Sequence, residues 1–463
     1  MIPLSVGKIA EICGGEIFGI EPEAIIFENF FFDSRSAIKG GIFIALKGES
    51  IDGHEYVDQA ILNGAELALV SSSVSAPSIK VVNVLESLGK IAKYVRIQLK
   101  NLKVIAITGS QGKTTTKDLL AHILGAVGET ISPIGSYNNE LGAPLTLLSC
   151  TPNTKFCVVE MGARKIGDIA KLSEIAKPNV GVVLKVGNAH VGEFGSRENI
   201  AIAKGELVVE LSANDFAVLG TYDEYTPKMA GTTSAKVLTF GENGKADIRA
   251  ADVEYREGYA HFDLVTPQGR EAVGLRIVGM HQVANALAAA AAATALNIPI
   301  EVIASALSTA EMTSKWRMDI NEINGLLIIN DAYNANPESM LAALRTLALL
   351  SQDRGGRSWA FLGKMHELGD ESERDHAEVA DAAAALDIDH FVAIGNSDYR
   401  AIDSMEMVTH YYAQQSEAQE LFSHFEVGDV ILVKASRAEH LEIIATEIAK
   451  FWSAKIIESE EMQ

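Results

Sequence analysis

The chain has 463 residues, of which 48% are hydrophobic and 22% charged. This balance is typical of a folded globular protein and excludes a disordered one, and the length predicts two or three domains. The net charge of −22 argues against nucleic acid and anionic membrane surfaces as partners, because both are bound by clustered Lys and Arg.

The cysteines and the apolar segments argue against a disulfide-rich, zinc-binding, secreted or membrane protein. Cys13, Cys150 and Cys157 have neither the spacing of a disulfide framework nor that of a zinc site. The N-terminus does not have the pattern of a signal peptide. The most apolar helical stretch, residues 284–298, is mostly alanine and predicts a packed helix rather than a membrane span. We therefore expect a cytoplasmic protein without membrane insertion.

Apolar runs of strand length occur in three successive blocks of the chain. In residues 1–98 they lie at 41–46, 67–70 and 79–84, with helical patterns between them. In residues 99–313 they lie at 102–108, 155–160 and 179–186, each followed by a helical pattern, and residues 245–278 alternate like an antiparallel hairpin. In residues 314–463 the strand–helix order resumes, with runs at 325–331, 358–363, 390–395 and 429–436. The pattern predicts three α/β domains with these boundaries.

A glycine-rich loop lies between the run 102–108 and the helical pattern after it. Its sequence, TGSQGKTT, is preceded by Ile107, where longer phosphate-binding loops have glycine. A strand, glycines and a helix N-terminus in this order point backbone N–H groups at an anion. Lys113 would contact the β- and γ-phosphates, and Thr114 a Mg²⁺ ion. Such a connection can also be only a turn, but the flanking strand and helix and the three threonines favour a nucleotide site.

Two further candidates follow predicted strands. Glu160 ends the run 155–160, and His190 comes shortly after the run 179–186, among glycines. Because ligands of parallel sheets bind beyond the carboxyl ends of the strands, Glu160 is expected to face the loop as a Mg²⁺ ligand. The alternatives are that the glutamate is solvated and that the histidine is structural.

Lys204 interrupts an apolar helical face made by Ile200, Leu207, Val208 and Leu211. If the lysine is buried, desolvation lowers its pKa and leaves a neutral, nucleophilic amine. Such an amine can capture CO₂ as a carbamate, an anionic metal ligand. Periodicity alone favours the alternative, in which the ammonium group extends past its apolar stem to water.

Several motifs together resemble those of the Mur ligases, a family of amide ligases that build peptidoglycan precursors. The loop TGSQGKTT is similar to the family's nucleotide loop, which also lacks the first glycine. The other similar segments, which extend the resemblance over nearly the whole chain, are residues 33–65, 137–148, 160–163, 189–196, 279–292, 316–320 and 330–340. The resemblance implies a UDP-sugar-binding N-terminal domain, a central P-loop ATPase domain and a C-terminal Rossmann-like domain.

The resemblance also implies roles for individual residues. The ATP phosphates would be held by Gly109, Ser110, Gln111, Gly112, Lys113, Thr114 and Thr115, with Arg317 beside them, Asp331 near the ribose, and His281 and Asn285 near the adenine. Of two Mg²⁺ ions, Thr114 and Glu160 would bind one, and His190 with a carbamylated Lys204 the other. Ser34 and Arg35 would contact uridine diphosphate, and Asn138 and Asn139 would lie along the sugar and peptide path. The expected catalytic residues are Lys113, Lys204, His190 and Arg317.

The loop before residue 337 is the expected acceptor site. Pro337 fits the first turn of a helix, so Tyr333, Asn334 and Asn336 would lie beyond the carboxyl end of the preceding strand. Asparagine amides both donate and accept hydrogen bonds, as a buried dipeptide amide requires. The alternative is that both asparagines only cap a turn.

The implied reaction joins D-alanyl-D-alanine to UDP-N-acetylmuramoyl-tripeptide, with ATP converted to ADP through an acyl phosphate, and we expect a monomer. The alternatives are another amide ligase, such as one adding diaminopimelate or lysine or a folylpolyglutamate synthase, and a nucleotide-switch ATPase. Three positions depart from the family's pattern. Residues 164–167, Arg-Lys-Ile-Gly, replace Asn-His-Pro-Gly, Lys364 replaces Asp, and Ala435 replaces Gly.

Overall fold

The computed structural model describes residues 1–48, 51–133, 135–188, 191–312, 314–399 and 407–461. Its strands form three larger sheets, which we term the N-terminal, central and C-terminal sheets, together with a three-stranded hairpin sheet and a separate strand pair. The larger sheets are parallel or mostly parallel, and helices pack against them. The α/β class predicted from the sequence is confirmed.

The N-terminal sheet comes from the first 80 residues. The strands are β1 (Leu4–Ser5), β2 (Glu16–Phe18), β3 (Ile25–Ile26), β4 (Phe30–Phe31), β5 (Ile42–Ile44), β6 (Leu67–Val70) and β7 (Ser78–Lys80), and the helices are α1 (Val6–Cys13), α2 (Val57–Leu62) and α3 (Val84–Gln98). The sheet order is β2-β7-β6-β5-β4, antiparallel only at β2–β7, and β1 pairs with β3 separately. The predicted strand at 79–84 ends early, because Asn83 caps α3 by accepting the Glu86 N–H.

The central sheet is entirely parallel and carries the glycine-rich loop. Its strands are β8 (Lys103–Thr108), β9 (Thr130–Ile131), β10 (Phe156–Glu160), β11 (Val180–Val183), β12 (Phe216–Gly220) and β13 (Lys236–Phe240); its helices are α4 (Lys113–Gly125), α5 (Gly142–Leu148), α6 (Asp168–Ala176), α7 (Val191–Phe194) and α8 (Arg197–Val209). The order β13-β12-β11-β8-β10-β9 puts β8 between β10 and β11. Later strands of the chain are thus placed on both sides of β8, so the strand order reverses at this strand. In α/β sheets, ligands bind at the carboxyl ends of the strands at such a point.

The hairpin sheet covers one side of the central unit. It contains β14 (Arg249–Arg256), β15 (Tyr259–Thr266) and β16 (Gly269–Val278), all antiparallel, and is followed by α9 (Gln282–Ala295) and α10 (Ile300–Thr309). The alanine-rich α9 is buried and packs against α4. No helix within the described residues is long and apolar enough to cross a membrane.

The C-terminal sheet is parallel except at one edge. Its strands are β17 (Asp319–Ile323), β18 (Leu326–Asn330), β19 (Ser358–Leu362), β20 (His390–Ile394), β21 (Val408–Tyr412) and β22 (Val430–Lys434); its helices are α11 (Pro337–Arg354), α12 (Ser372–Ala385) and α13 (Glu442–Glu461). The order is β17-β18-β22-β19-β20-β21, and β17 is the antiparallel edge strand. Pro337 occupies the first position of α11, as predicted.

Helix α3 connects the first sheet to the second. It packs against α1 on one side and against α5 and α6 of the central sheet on the other. One hydrophobic cluster accordingly runs from Ile2 to Met229, through the buried face of α3. The domain boundaries near residues 98 and 313 remain a prediction.

Candidate functional site

A cavity of about 1560 Å³ opens between the carboxyl ends of the central and C-terminal sheets and extends along α3 and α6. Most of the residues singled out from the sequence line it: Ser110, Gln111, Gly112, Lys113, Thr114, Thr115, Asn138, Asn139, Glu160, Lys204, His281, Asn285, Arg317, Asp331, Tyr333, Asn334 and Asn336. Gly109, Ser34 and Arg35 do not line it. His190 lies outside the described residues. One cavity thus brings together residues from two sheets.

The glycine-rich loop has the shape of a phosphate cradle. Gly109 and Gly112 have φ of 157° and 79°, and α4 begins directly after Gly112. A Cβ atom at Gly112 would lie 2.2 Å from Asn285 Oδ1, so the loop and α9 approach too closely for any other residue. The Ser110 hydroxyl accepts the Gly187 N–H at 2.9 Å, which fixes the loop to the segment after β11.

Lys113 lies at the head of α4, inside this loop. Its ammonium group donates to the Gly109 carbonyl at 2.8 Å. Burial lowers the pKa of Lys113, while the Glu160 carboxylate acts in the opposite direction. The lysine is therefore a desolvated cation held over the loop, where the charge of a bound phosphate would replace the carbonyl as its partner.

Three oxygen-bearing side chains meet beside the loop. Thr114 Oγ1 donates to Glu160 Oε2 at 2.9 Å and lies 2.8 Å from Ser136 Oγ. Asn138 Nδ2 donates to Glu160 Oε1 at 2.9 Å, so the carboxylate is held although it is only 1% exposed. The alternative of a solvated Glu160 is wrong. Hydroxyl and carboxylate oxygens suit a hard cation such as Mg²⁺, and phosphate and water oxygens would complete the coordination.

The described residues contain no cluster of three or more His, Cys, Asp or Glu side chains that could hold a metal ion unaided. A cation beside Glu160 would therefore depend on the nucleotide for part of its coordination. This dependence is usual for Mg²⁺ in nucleotide sites, because Mg²⁺ is often bound by one or two carboxylates together with substrate phosphates.

Lys204 is buried in the middle of α8, with a relative exposure of 3%, and it lines the cavity. Ile200, Leu207, Val208 and Leu211 are buried with it. The alternative that its ammonium group reaches water is wrong, because the helix face packs inward. Burial, with a smaller contribution from the Lys113 charge, lowers the pKa of Lys204 to about 7. A substantial neutral fraction is present at physiological pH.

His281 and Asn285 form the wall at the start of α9. Burial lowers the pKa of His281 to about 4, so the imidazole is neutral, and its Nδ1 has no hydrogen-bond partner among the described residues. Asn285 Nδ2 donates to Gln282 Oε1 at 2.8 Å. A buried ring nitrogen without a partner next to a cavity is a site for a polar ligand atom.

Two cationic side chains come from the C-terminal side of the cavity. Arg317 stacks on Tyr333, with its guanidinium carbon 4.1 Å from the ring centroid, and donates to Ser136 Oγ at 2.8 Å. The buried Lys434, at the end of β22, donates to Asp331 Oδ2 at 2.6 Å and to the Asn334 carbonyl at 2.9 Å. Asp331 also accepts the Met318 N–H, which fixes its carboxylate at the cavity wall.

The asparagines of the predicted acceptor and peptide paths also have structural roles. Asn336 caps α11 by accepting the Ser339 N–H, and Asn139 Oδ1 accepts the N–H groups of Leu141 and Gly142. Asn334 Oδ1 accepts the N–H of the next residue. Asn336 Oδ1 also accepts a hydrogen bond from Gln111 Nε2 at 2.9 Å. A role of Asn336 in acceptor binding remains a prediction.

Ser34 and Arg35 lie on a short 3₁₀ turn outside the cavity. The Arg35 side chain is exposed and makes two hydrogen bonds to Asp33, at 2.9 and 2.8 Å. The neighbouring Phe32 makes an edge contact with Tyr137, with ring centroids 5.9 Å apart. Because Tyr137 directly precedes Asn138, this contact joins the turn to one wall of the cavity.

The departures at Lys364 and Ala435 do not line the cavity. Ala435 is buried, and a Cβ at Gly363 would lie 2.8 Å from its methyl group. Ser136 and Lys434 are among the lining residues that sequence reasoning missed. Lys434 could have been predicted from the sequence, because it ends an apolar strand as Glu160 does. Ser136 could not, because it lies in a loop with no periodic pattern.

Comparison with known proteins identifies the class. Residues 107–293 match the Mur ligase middle domain, and residues 316–437 match the family described as Mur ligase, glutamate ligase domain. The chain belongs to the Mur ligase family.

Particular members are similar over nearly the full length. The UDP-N-acetylmuramoyl-tripeptide–D-alanyl-D-alanine ligases of Mycobacterium tuberculosis and Escherichia coli are 37% and 33% identical, over 96% of this chain and 97% of theirs. A solved structure of the Acinetobacter baumannii UDP-N-acetylmuramoylalanyl-D-glutamyl-2,6-diaminopimelate–D-alanyl-D-alanyl ligase is 33% identical, with a TM-score of 0.85 over 97% of this chain and 98% of that one. The Thermotoga maritima MurF ligase in complex with ADP is 29% identical, with a TM-score of 0.78 over 92% and 98%.

Proposed function

We propose that the cavity is where D-alanyl-D-alanine is joined to the carboxylate of UDP-N-acetylmuramoyl-tripeptide, with conversion of ATP to ADP and phosphate. The enzyme is an ATP-dependent ligase of peptidoglycan synthesis, like the relatives that it matches over nearly the full length. The observation that carries the proposal is the single cavity that joins the glycine-rich loop and Glu160 to Arg317, Asp331 and Tyr333. A ligase needs such a meeting point, because nucleotide, carboxylate and amine must react in one place.

ATP is proposed to bind along residues 109–115 and the start of α4. The backbone N–H groups of the helix N-terminus face the phosphates. Lys113 would exchange the Gly109 carbonyl for the β- and γ-phosphates. Asn285 and the neutral imidazole of His281 would contact the adenine. Asp331, which Lys434 orients, would accept a hydrogen bond from the ribose.

Two Mg²⁺ ions are proposed, and when bound they stabilise negative charge on the transferred phosphoryl group. Thr114, Ser136 and Glu160 would supply oxygen ligands for the first. His190 and a carbamylated Lys204 would supply the second. The Lys204 amine is suited to carbamylation, because its nitrogen lone pair can bond to the carbon of CO₂ while one N–H proton leaves to water.

The reaction is proposed to proceed through an acyl phosphate. The tripeptide carboxylate attacks the γ-phosphorus of ATP, and ADP leaves. The amine of D-alanyl-D-alanine then attacks the acyl carbon, and phosphate leaves. Two anions must approach in the first step, so Lys113 and Arg317, which both line the cavity, would provide the neutralising charge. The remaining contribution of the protein is positioning.

The substrates are proposed to be distributed over the three domains 1–98, 99–313 and 314–463. Ser34 and Arg35 would hold the uridine diphosphate, with Asn138 and Asn139 along the sugar and peptide. Tyr333, Asn334 and Asn336 would receive the dipeptide. We also propose that the chain acts as a monomer in the cytoplasm, which size-exclusion chromatography and cell fractionation would test.

The test is an assay of ADP release and amide formation with one nucleotide-tripeptide and four amines. D-Alanyl-D-alanine should be incorporated faster than D-alanine, L-lysine or meso-diaminopimelate. Faster incorporation of a single amino acid would refute the assignment of D-alanyl-D-alanine as the acceptor and would leave only the assignment as a Mur-type amide ligase. ATP hydrolysis at full rate without carboxylate and amine would instead favour a nucleotide-switch ATPase.

A further inference from the structure

We propose that Arg164, Lys165 and Lys171 bind the non-reacting carboxylates of the substrate's peptide arm and thereby favour 2,6-diaminopimelate over lysine as the third residue of the tripeptide. The inference rests on the proposed function and adds the identity of that residue to it.

The three cations lie next to the proposed reaction centre. Residues 161–167 leave β10 directly after Glu160, and Asn138 holds their first turn by accepting the Gly162 N–H at 2.7 Å. Arg164, Lys165 and Lys171 are exposed and line the same cavity as Lys113. A substrate whose carboxylate reaches the γ-phosphate beside Lys113 can therefore place its neighbouring groups along this wall.

The charges of this wall are available to a ligand. Among the described residues, Lys165 and Lys171 are in no ion pair, and Arg164 makes only a long contact, 3.9 Å, with Glu193. Asp168, the nearest carboxylate in sequence, accepts the backbone N–H groups of residues 164 and 165 at 3.1 Å each.

Two other lysines of the same cavity differ in this respect. Lys90 pairs with Glu86 at 2.7 Å, and Lys93 pairs with Glu174 at 2.6 Å. In a chain of net charge −22, the wall at residues 164–171 is thus a local excess of positive charge facing the cavity.

The substrate chemistry matches this excess. The Acinetobacter baumannii relative is named for an alanyl-D-glutamyl-2,6-diaminopimelate peptide. In that peptide the third residue donates one carboxylate to the reaction and keeps a second at the end of its side chain, beside an ammonium group, so that end has no net charge. A lysine in the same place ends in an ammonium group alone. The cationic wall can bind the carboxylate of the diaminopimelate end, whereas the lysine end offers only a charge that the wall repels, so the selection combines attraction and repulsion.

The experiment compares two nucleotide-tripeptides, one ending in meso-diaminopimelate and one in L-lysine, each with ATP and D-alanyl-D-alanine. For the wild type we expect a kcat/KM at least about tenfold higher with diaminopimelate, since exposed charge pairs contribute roughly two- to fivefold each. The variant Lys165→Ala/Lys171→Ala should raise the KM for the diaminopimelate substrate by about 4- to 25-fold, with the KM for ATP unchanged. Lys165→Glu should raise kcat/KM for the nucleotide-tripeptide that ends in L-lysine.

The control is Lys100→Ala, an exposed lysine outside the cavity, which should leave both KM values unchanged. An equal rise in KM for both nucleotides would overturn the inference, because the cations would then contact a part common to both, such as the diphosphate. Unchanged KM values in the double variant would overturn it as well. Ligation by the wild type without discrimination defeats this inference alone, whereas no ATP-dependent ligation with either nucleotide defeats the proposed function.

Discussion

The Gln111 side chain in the glycine-rich loop donates a hydrogen bond to the Glu338 carboxylate of α11, at 2.5 Å. The other oxygen of the same carboxylate accepts the Asn188 N–H at 2.9 Å. Glu338 therefore connects the C-terminal sheet to two loops at the carboxyl end of the central sheet. Gln111 also donates to Asn336 Oδ1 at 2.9 Å, so the nucleotide loop is linked to the proposed acceptor loop both directly and through Glu338.

Replacing Glu338 by alanine should weaken this link and leave each sheet intact. We expect kcat/KM to fall by about 5- to 30-fold, since a hydrogen bond to a charged group contributes roughly 1.5–3 kcal/mol at most sites, and solvent reduces it here. Steady-state kinetics and small-angle scattering would measure the effect, the latter as an increased radius of gyration. The matched control is Glu301→Ala, an exposed carboxylate of α10. Unchanged kinetics in both variants would mean that the Glu338 contact makes no contribution to activity.

Lys113→Ala should abolish ligation without unfolding the protein. The ammonium group is the cation closest to the proposed β- and γ-phosphates, and loss of one such contact typically lowers kcat by about 10²–10³. The measurement is turnover at saturating ATP, with circular dichroism as the control for folding. Near-normal turnover would refute the assignment of the loop to the nucleotide.

Lys204→Met should stabilise the fold and eliminate activity. The pKa of Lys204 falls from 10.5 to about 7 on folding, so between these values the unfolded chain binds more protons than the folded one. The destabilisation is therefore complete below about pH 7 and disappears as the pH rises towards 10.5. Removing the buried amine should raise the free energy of unfolding at neutral pH by about 1–4 kcal/mol.

Thermal denaturation of the Lys204→Met variant at pH 7 and pH 9.5 provides the measurement, and the gain should be larger at pH 7. A gain of equal size at both pH values would contradict the shifted pKa. For Lys204→Ala, small carboxylic acids should partly restore ligation by supplying the missing anion. Full activity without any addition would exclude the carbamate.

Arg35→Ala should raise the KM for the nucleotide-peptide and leave that for ATP nearly unchanged. Such a result would show that the variant had lost binding energy toward the nucleotide-peptide alone, equally in its ground state and its transition state. Because the Arg35 side chain is exposed and pairs with Asp33, its replacement should not unfold the protein. If the KM for ATP rises as much, Arg35 acts elsewhere than on the uridine diphosphate.

Local patterns predicted the central part of the site. The strand, loop and helix around Lys113 are contiguous in the chain, and the apolar face around Lys204 is read from one helix, so propensity and periodicity suffice. Glu160 could be predicted because it ends a buried strand beside β8. The decision between a buried and a solvated Lys204 needed the structure, since the periodicity does not say what packs on the helix.

Contacts between the sheets could not be predicted from the sequence. Gln111 and Glu338 are 227 residues apart, and Lys434 and Asp331 are 103 apart. Their pairing depends on how two separately formed sheets pack, and no local pattern encodes that arrangement. Asn336 illustrates a second limit of sequence-based prediction. An asparagine before a helix is suited both to capping that helix and to binding a ligand, so its identity alone does not decide between the two roles.

The close approach of Gly112 to Asn285 bears on inhibitor resistance. Any side chain at position 112 would meet the Asn285 amide at 2.2 Å and would also need a left-handed backbone conformation. A single substitution that protrudes into the phosphate end of the cavity from this point would therefore damage the loop itself. A compound packed against Gly112 and Asn285 would therefore leave little scope for resistance through mutation of the loop glycine.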